Sequence, residues 1–453
     1  MVPLGLLLSG GPEYLRYPQR GPECCDYGFW ATKEDYDKLH GLSETTAQIH
    51  EFWSHSWQTK LWLKYLCVLF LNNGLPAFIV GSLMAMVVFT IYATLYWPKI
   101  RVLRRLCVPA GALGYYLALV LWRRRKRVFL DIACVNQSDD TLKAPVHRWC
   151  VFEIAAFLHC QATDAEKSLV ICPIFTGPVL LIGNLGLSIL AIIFMAIDVP
   201  LWPWGVVLIS ALATPCLFLM AYLLLLHCRS IDIMQRQVAH FTIEDAKSHC
   251  CTCGHIGADG ERIICDRSVI LRCISTWFGS PEQFESIVRT RVRRAMAHQL
   301  ANNAFSYWRV VQATCPIPWI FIDFLLQWKG RRAKIARFYM FVKLPLYWLL
   351  VLPSIVQVAL RLAYRSRQAS KSTRGHILLS MALLVLAALM FAMFFAIEHV
   401  LLPELLGDEI YSALTLLGIM GVVTPLLWCC LPMMGTATID PPEDAGGSAD
   451  VAD

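Results

Sequence analysis

The chain has 453 residues, 57% hydrophobic and only 16% charged, with a formal net charge of +7. Soluble domains carry about a quarter charged residues, so this balance, with a mean hydropathy of +0.52, excludes an ordinary water-soluble globular protein. The basic residues gather beside apolar runs, at 123–127, 289–294, 329–337 and 361–374. That placement suits juxtamembrane segments held by anionic lipid head groups and argues against a nucleic-acid partner, which needs one continuous basic face.

Residues 1–48 read as an irregular segment, and the apolar stretch 4–8 lacks the basic start of a signal peptide. Residues 49–53 read as a short strand leading to His55 and an apolar helix over 60–71. The uncharged run 74–97 is long enough to cross a hydrocarbon core of roughly 30 Å, and 106–122 returns as its partner in a hairpin. Residues 128–132 have a buried-strand pattern holding Asp131. A helix over 148–160 follows, with Glu153 as its one charge between Trp149 and Leu158. Residues 168–175 read as another strand. Spans are then expected at 169–197 and 199–226, broken at Asp198-Val199-Pro200.

The C-terminal part repeats the membrane pattern. Spans are expected at 377–397 and 410–434, while 344–360, with Pro345 and Pro353, and 315–328, with Asp323, are doubtful or re-entrant. This gives six spans and up to eight. The basic loop 361–376 and the acidic loop 398–409 put the first in the cytosol and the second outside, and both termini are then cytosolic. Residues 436–453, rich in Pro, Gly, Ala and Asp, read as a disordered tail. The division is therefore 1–48; a split α/β module, 49–73 and 123–175, around the hairpin 74–122; a second hairpin, 176–227; a cytosolic segment, 228–312; a membrane region, 313–435; and the tail.

The chain holds 18 cysteines. Cys67, Cys107 and Cys216 lie in apolar runs as small hydrophobes, and the pair Cys429–Cys430 is placed for reversible acylation. His249, Cys250, Cys251, Cys253 and His255 are followed by Cys265. Thiolates and imidazoles at that density suit a structural zinc site, and Cys251, Cys253, His255 and Cys265 are the candidate ligands; the spacing is irregular, and a site without metal remains the other reading. Ser280-Pro281-Glu282-Gln283 is a helix start. The helix carries Phe284, Ile287, Val288 and Val292 on one side and Arg289, Arg293 and Arg294 towards the other. Such a helix either rests on an anionic leaflet or shows a solvated face of a domain.

The stretches FWSHSW, VFLDIACVNQ and RWCVFEIAAF resemble the first-strand, second-strand and Trp-Cys-helix motifs of Toll/interleukin-receptor (TIR)-like domains. The combination is similar to multi-pass membrane proteins of dinoflagellates in which a TIR-like module is interrupted by a membrane hairpin. The resemblance covers 49–72, 128–175 and 240–294. It implies an α-helical multi-pass membrane protein with a small cytosolic α/β module and a parallel sheet. His55 and Asp131 would sit at carboxyl ends of strands, where ligands gather, although a lone His there more often caps the next helix. TIR-like domains assemble homotypically, and some cleave NAD with the acid of a Trp-x-x-x-Glu motif. Trp149 and Glu153 match that spacing, which implies NAD as a substrate; the plainer reading of Glu153 is a charge on an exposed helix face.

Three functions follow as expectations. The first is a membrane-anchored signalling or scaffold protein that forms a homo-oligomer through its TIR-like module. The second is a membrane-bound NAD glycohydrolase using Glu153. The third is a channel or transporter with regulatory cytosolic segments, for which Asn184, Ser188, Thr214 and Asp323 are the polar residues within the spans.

Overall fold

The computed structural model describes residues 2–3, 40–41, 43, 51–53, 61–94, 105–123, 127–130, 155, 158–159, 175–196, 204–244, 266–300, 304–327, 338–369 and 372–430. These form two units. One comprises 1–143, 173–228 and 305–430; the other comprises 144–172, 229–304 and 431–453.

The first unit is a helical membrane bundle. Six helices are long and apolar enough to cross a membrane: Trp62–Thr94, Thr176–Ala196, Val207–Ala239, Met340–Ser366, Thr373–Leu406 and Glu409–Cys429. The chain is an integral multi-pass membrane protein on this ground. The number matches the expectation but the membership does not. The run 106–122 forms only α2, Cys107–Leu121. Fifteen residues rise about 22 Å, too short to cross alone. Conversely, 344–360, doubtful for its prolines, lies inside a continuous 27-residue helical span.

α1 (Leu61–Thr94) packs along α2, α3 (Thr176–Ala196) and the bent pair α8 (Tyr307–Ala313) and α9 (Pro316–Gln327). Small residues let these helices approach closely, as lipid-exposed bundles require. A Cβ at Gly111 of α2 would lie 2.6 Å from the Trp319 ring of α9, and one at Gly177 of α3 would lie 2.4 Å from the Cα of Cys67 in α1. Trp319 yields by moving a side chain, whereas the Cys67 backbone yields only if a helix moves. Gly177→Ala is therefore expected to cost about 1–3 kcal/mol. A lowered thermal unfolding midpoint in detergent checks it, and an unchanged midpoint would mean that α1 and α3 slide freely.

The remaining helices are α4 (Val206–Ala239), which runs on into the second unit, α10 (Leu352–Ser366), α11 (Thr373–Ala396), α12 (Leu402–Leu406) and α13 (Glu409–Cys429). Three π-helical turns interrupt them: π2 (Tyr339–Lys343), π3 (Pro345–Val351) and π4 (Ile397–Leu401). Each lies just ahead of a proline: Pro345, Pro353 and Pro403 respectively. A proline lacks an N–H and its ring pushes the carbonyl four residues back; a widened preceding turn absorbs both effects without ending the helix.

A three-stranded sheet also belongs to this unit. β1 (Val2–Pro3), β2 (Glu51–Trp53) and β3 (Arg127–Leu130) are ordered β1-β3-β2. β2 runs parallel to β3 with Phe52 opposite Phe129, and β1 runs antiparallel to it. Val128 is buried against Tyr65 and Val68 of α1. The strands expected at 49–53 and 128–132 thus pair, but the TIR-like module built on them is corrected. A doubly wound domain needs a broad parallel sheet with helices on both faces. Strands of two, three and four residues, one antiparallel, do not supply it, and the described chain is otherwise overwhelmingly helical.

The second unit has its own small core. Ile274 of α5 (Asp266–Phe278) meets Phe284, Val288 and Val292 of α6 (Pro281–Ile287) and π1 (Val288–Val292), with Ile243, Ala155 and Leu158. The helix continues as α7 (Arg293–His298). Its start is as expected: the Ser280 hydroxyl accepts from the Gln283 N–H at 3.2 Å. The apolar side of this helix is spent in the core. Arg289 binds Glu285 at 2.9 Å and the Phe241 carbonyl at 2.8 Å, and Glu285 also accepts the Ile243 N–H at 2.7 Å.

Candidate functional site: polar groups buried within the spans

Proline also shapes the first candidate site. Pro316 follows α8, and α8 and α9 meet at a bend of 48°. In an unbroken helix the Ala313 carbonyl would take the Ile317 N–H. Here that N–H goes to Thr314 at 3.1 Å, leaving Ala313 without a helical partner. Away from water, such a freed carbonyl must be satisfied by a neighbour. Asn184 of α3 does so, donating to Ala313 at 3.0 Å and to the Cys315 sulfur at 3.4 Å. Its own oxygen accepts from the Tyr116 phenol of α2 at 2.8 Å.

Asn184 and Ser188 sit one turn apart on one face of α3, 0% and 1% exposed, and lie within about a turn of the helix midpoint. Tyr115 of α2 joins the same core as Cys315, its ring 5.1 Å from that of Tyr116. The Tyr115 hydroxyl is buried without a hydrogen-bond partner, and the buried Ser188 hydroxyl faces the Tyr116 phenol. The cluster Tyr115, Tyr116, Asn184, Ser188 and Cys315 carries no formal charge. Thr214, the polar candidate in the next span, is exposed and bonds back to the Ser210 carbonyl at 2.7 Å.

Asp323 has a different task. Its two oxygens accept the N–H groups of Cys107 and Val108, both at 3.1 Å. A carboxylate is favourable at a helix N-terminus, where N–H groups lack partners, so Asp323 pins the start of α2 to α9. Arg105, two residues before Cys107 and close enough to act on Asp323, donates to the Met195 carbonyl near the end of α3 at 2.6 Å.

The second cluster lies in the widened turns. Lys343 of π2 is 4% exposed and Glu398 of π4 is 1% exposed. The Lys343 ammonium lies 3.2 Å from Glu398 Oε1, and the Tyr347 phenol of π3 donates to Oε2. His399 Nε2 lies 3.4 Å from the ammonium and 3.7 Å from Oε2. Glu398, expected in an acidic outer loop, is instead buried in helix, and the turn between α12 and α13 is only Gly407 and Asp408. From Thr373 to Glu398 the helix rises roughly 37 Å, so the cluster stands one membrane thickness from the basic turn after α10.

π3 reaches from the second cluster to the α8–α9 break. Beside Tyr347, Trp348 donates to the Thr314 hydroxyl at 3.1 Å, at the α8–α9 break. The Tyr307 phenol of α8 donates to the Leu349 carbonyl at 2.9 Å.

His55, Asp131, Trp149, Glu153, Cys251, Cys253, His255 and Cys265 all lie outside the described residues. Among the described residues, no group of three or more His, Cys, Asp or Glu is placed to hold a metal ion. The sequence reading found Asn184, Ser188 and Asp323 as polar breaks in apolar runs. It missed Lys343 and Glu398, which stand at the edges of such runs and look like flanking charges.

No family model, curated protein or solved structure matches this chain, and with the helical architecture this overturns the resemblance to TIR-like proteins.

Proposed function

We propose that this chain is a membrane transport protein that passes a small neutral polar solute through the midplane cluster of α2, α3 and the α8–α9 break. The carrying observation is the buried, unpartnered hydroxyl of Tyr115, in one cluster with the buried Ser188 and Asn184. Buried polar groups are nearly always paired, and an orphaned hydroxyl at mid-membrane has no bulk water to turn to. Broken helices at that depth are tolerated where they line a cavity or are buried in protein, and in secondary transporters they form the substrate site. The absence of formal charge among the five side chains favours a neutral solute that exchanges hydrogen bonds. The signalling and NAD-cleaving alternatives both rested on the TIR-like module and lose their support with it.

The test uses the full-length protein. A thermal-shift screen against neutral sugars, polyols, amides and nucleosides should find a stabilising solute, which proteoliposomes then take up. Tyr115→Phe removes the free hydroxyl and Ser188→Ala the one that faces Tyr116, and both leave the Asn184 tie intact. Each is expected to weaken uptake about tenfold, the cost of roughly one hydrogen bond to a buried group. Folded protein that neither binds nor moves any of these solutes would overturn the proposal.

A further inference from the structure

Two N–H groups stand unused where α10 and α13 end. We propose that Arg361, Arg365 and Trp428 form a binding site for the phosphate of an anionic membrane lipid, held between the ends of those two helices. The site stands whether or not the midplane cluster carries a solute.

α10 and α13 run side by side in the same direction. The Thr424 hydroxyl meets that of Ser354 at 2.9 Å and donates to the Leu350 carbonyl at 3.2 Å. Further along both helices, the Arg361 guanidinium donates to the Leu427 carbonyl at 3.0 Å. Both helices therefore reach the same edge of the bilayer. From Glu409 to Trp428 α13 rises roughly 29 Å, close to one hydrocarbon thickness. Trp428 then lies at head-group depth, where tryptophan is enriched because its ring is apolar and its N–H polar. The same edge carries the basic turn after α10, whose charge is expected to face the cytosol and its anionic leaflet.

Arg361 spends one nitrogen on Leu427, one of the carbonyls that a helix end leaves without a helical partner. Its Nε is buried and has no hydrogen-bond partner. Trp428 Nε1, on the next residue along α13, is in the same condition. The Tyr307 ring of α8 meets the Trp428 ring edge-on, with centroids 5.7 Å apart, and fixes the indole in place. Arg365, one turn beyond Arg361 on α10, is exposed and close enough to repel it. Among the described residues no carboxylate pairs with either arginine. Burial denies the two idle nitrogens bulk water, and such donors are nearly always paired. Two like charges beside two idle donors suit an acceptor that carries negative charge. A phosphodiester supplies it, because its oxygens accept charge-assisted bonds from guanidinium groups and take the indole N–H as well. A lipid is the fitting source, since at this depth its head group already covers the protein. An anionic lipid fits better than a zwitterionic one, which would bring its own cation to Arg365.

Native mass spectrometry of the full-length protein in detergent tests this, with dioleoyl phosphatidylglycerol and dioleoyl phosphatidylcholine titrated in turn. Phosphatidylglycerol should bind about tenfold more tightly than phosphatidylcholine. Trp428→Phe keeps a ring against Tyr307 and removes only the idle N–H. It should weaken phosphatidylglycerol about tenfold, as loss of one hydrogen bond to a charged group does, and leave the lipid-free unfolding midpoint unchanged. Arg365→Gln should weaken it about fivefold, the usual worth of one basic residue near an anionic surface. Arg361→Gln should weaken it most, but it also drops the Leu427 tie, so the first two variants decide. Equal binding of the two lipids, or phosphatidylglycerol binding that ignores Trp428→Phe, overturns the site; a loss in Arg365→Gln alone is diffuse attraction to the leaflet. A lipid-free midpoint that falls in Trp428→Phe would mean that the N–H already has a partner, which also overturns it. A midpoint raised as much by inorganic phosphate as by phosphatidylglycerol would show a site for the free anion and overturn the lipid.

Discussion

Lys343→Met is expected to destabilise the protein by about 3–5 kcal/mol, because it strands a buried carboxylate without its counter-ion. Glu398 is 1% exposed, and without the ammonium it still has the Tyr347 phenol and His399, whose Nε2 lies 3.7 Å from Oε2. Glu398→Gln alone removes the carboxylate partner of the ammonium but keeps an amide oxygen in its place, with His399 Nε2 at 3.4 Å, so its cost should be smaller. The informative variant is the double one. Lys343→Met with Glu398→Gln removes both charges yet leaves an amide oxygen to accept the Tyr347 phenol. It should recover most of the loss, since replacing a buried ion pair by neutral groups is often close to neutral.

Thermal unfolding in detergent of the four proteins completes the cycle. A double variant much more stable than the Lys343→Met single shows that the pair is a mutual neutralisation device. Costs that simply add would mean that the two side chains interact separately with their surroundings.

The membrane character of the chain was legible because long uncharged runs have few alternatives in soluble folds. The details were less so, for reasons that individual residues explain. The run 106–122 counted as a span by composition, but a helix begins where its N–H groups find partners, and Asp323 supplies those at Cys107 and Val108. Pro345 and Pro353 looked like breaks, yet widened turns absorb them. Thr214 and Ser188 are equivalent in sequence, each a hydroxyl within an apolar helix. When a helix is apolar all round, periodicity gives no inside face, so only packing separates the lipid-facing Thr214 from the buried Ser188. Lys343 and Glu398 lie 55 positions apart at the margins of different runs, and nothing local shows that they meet. The TIR-like reading failed for a related reason: three short motifs fitted a pattern of strands and helices, but a sheet is made by long-range pairing, and among the described residues it comprises nine residues over three strands.

Asn184→Leu and Ser188→Ala, one turn apart on α3, should behave in opposite ways, and the contrast separates what holds the site from what the site is for. Leucine nearly matches asparagine in volume but makes no hydrogen bond. It would leave the Ala313 carbonyl, freed by the bend at Pro316, and the Tyr116 phenol both unpartnered in a region without water. Each orphaned group costs about 1–3 kcal/mol, so the variant should lose roughly 2–6 kcal/mol and fail to hold α8 and α9 at their angle. Ser188 holds no part of the break, and Tyr116 keeps its bond to Asn184 without it. Its alanine variant should unfold within about 1 kcal/mol of wild type, the net worth of one ordinary hydrogen bond, while uptake of the solute falls. Unfolding midpoints and uptake measured on the same two preparations make the comparison. If Ser188→Ala proves as destabilising as Asn184→Leu, its hydroxyl is a structural tie, and the midplane cluster is a packed joint with no place for a solute. If stability holds and uptake falls, the Ser188 hydroxyl serves the ligand rather than the fold.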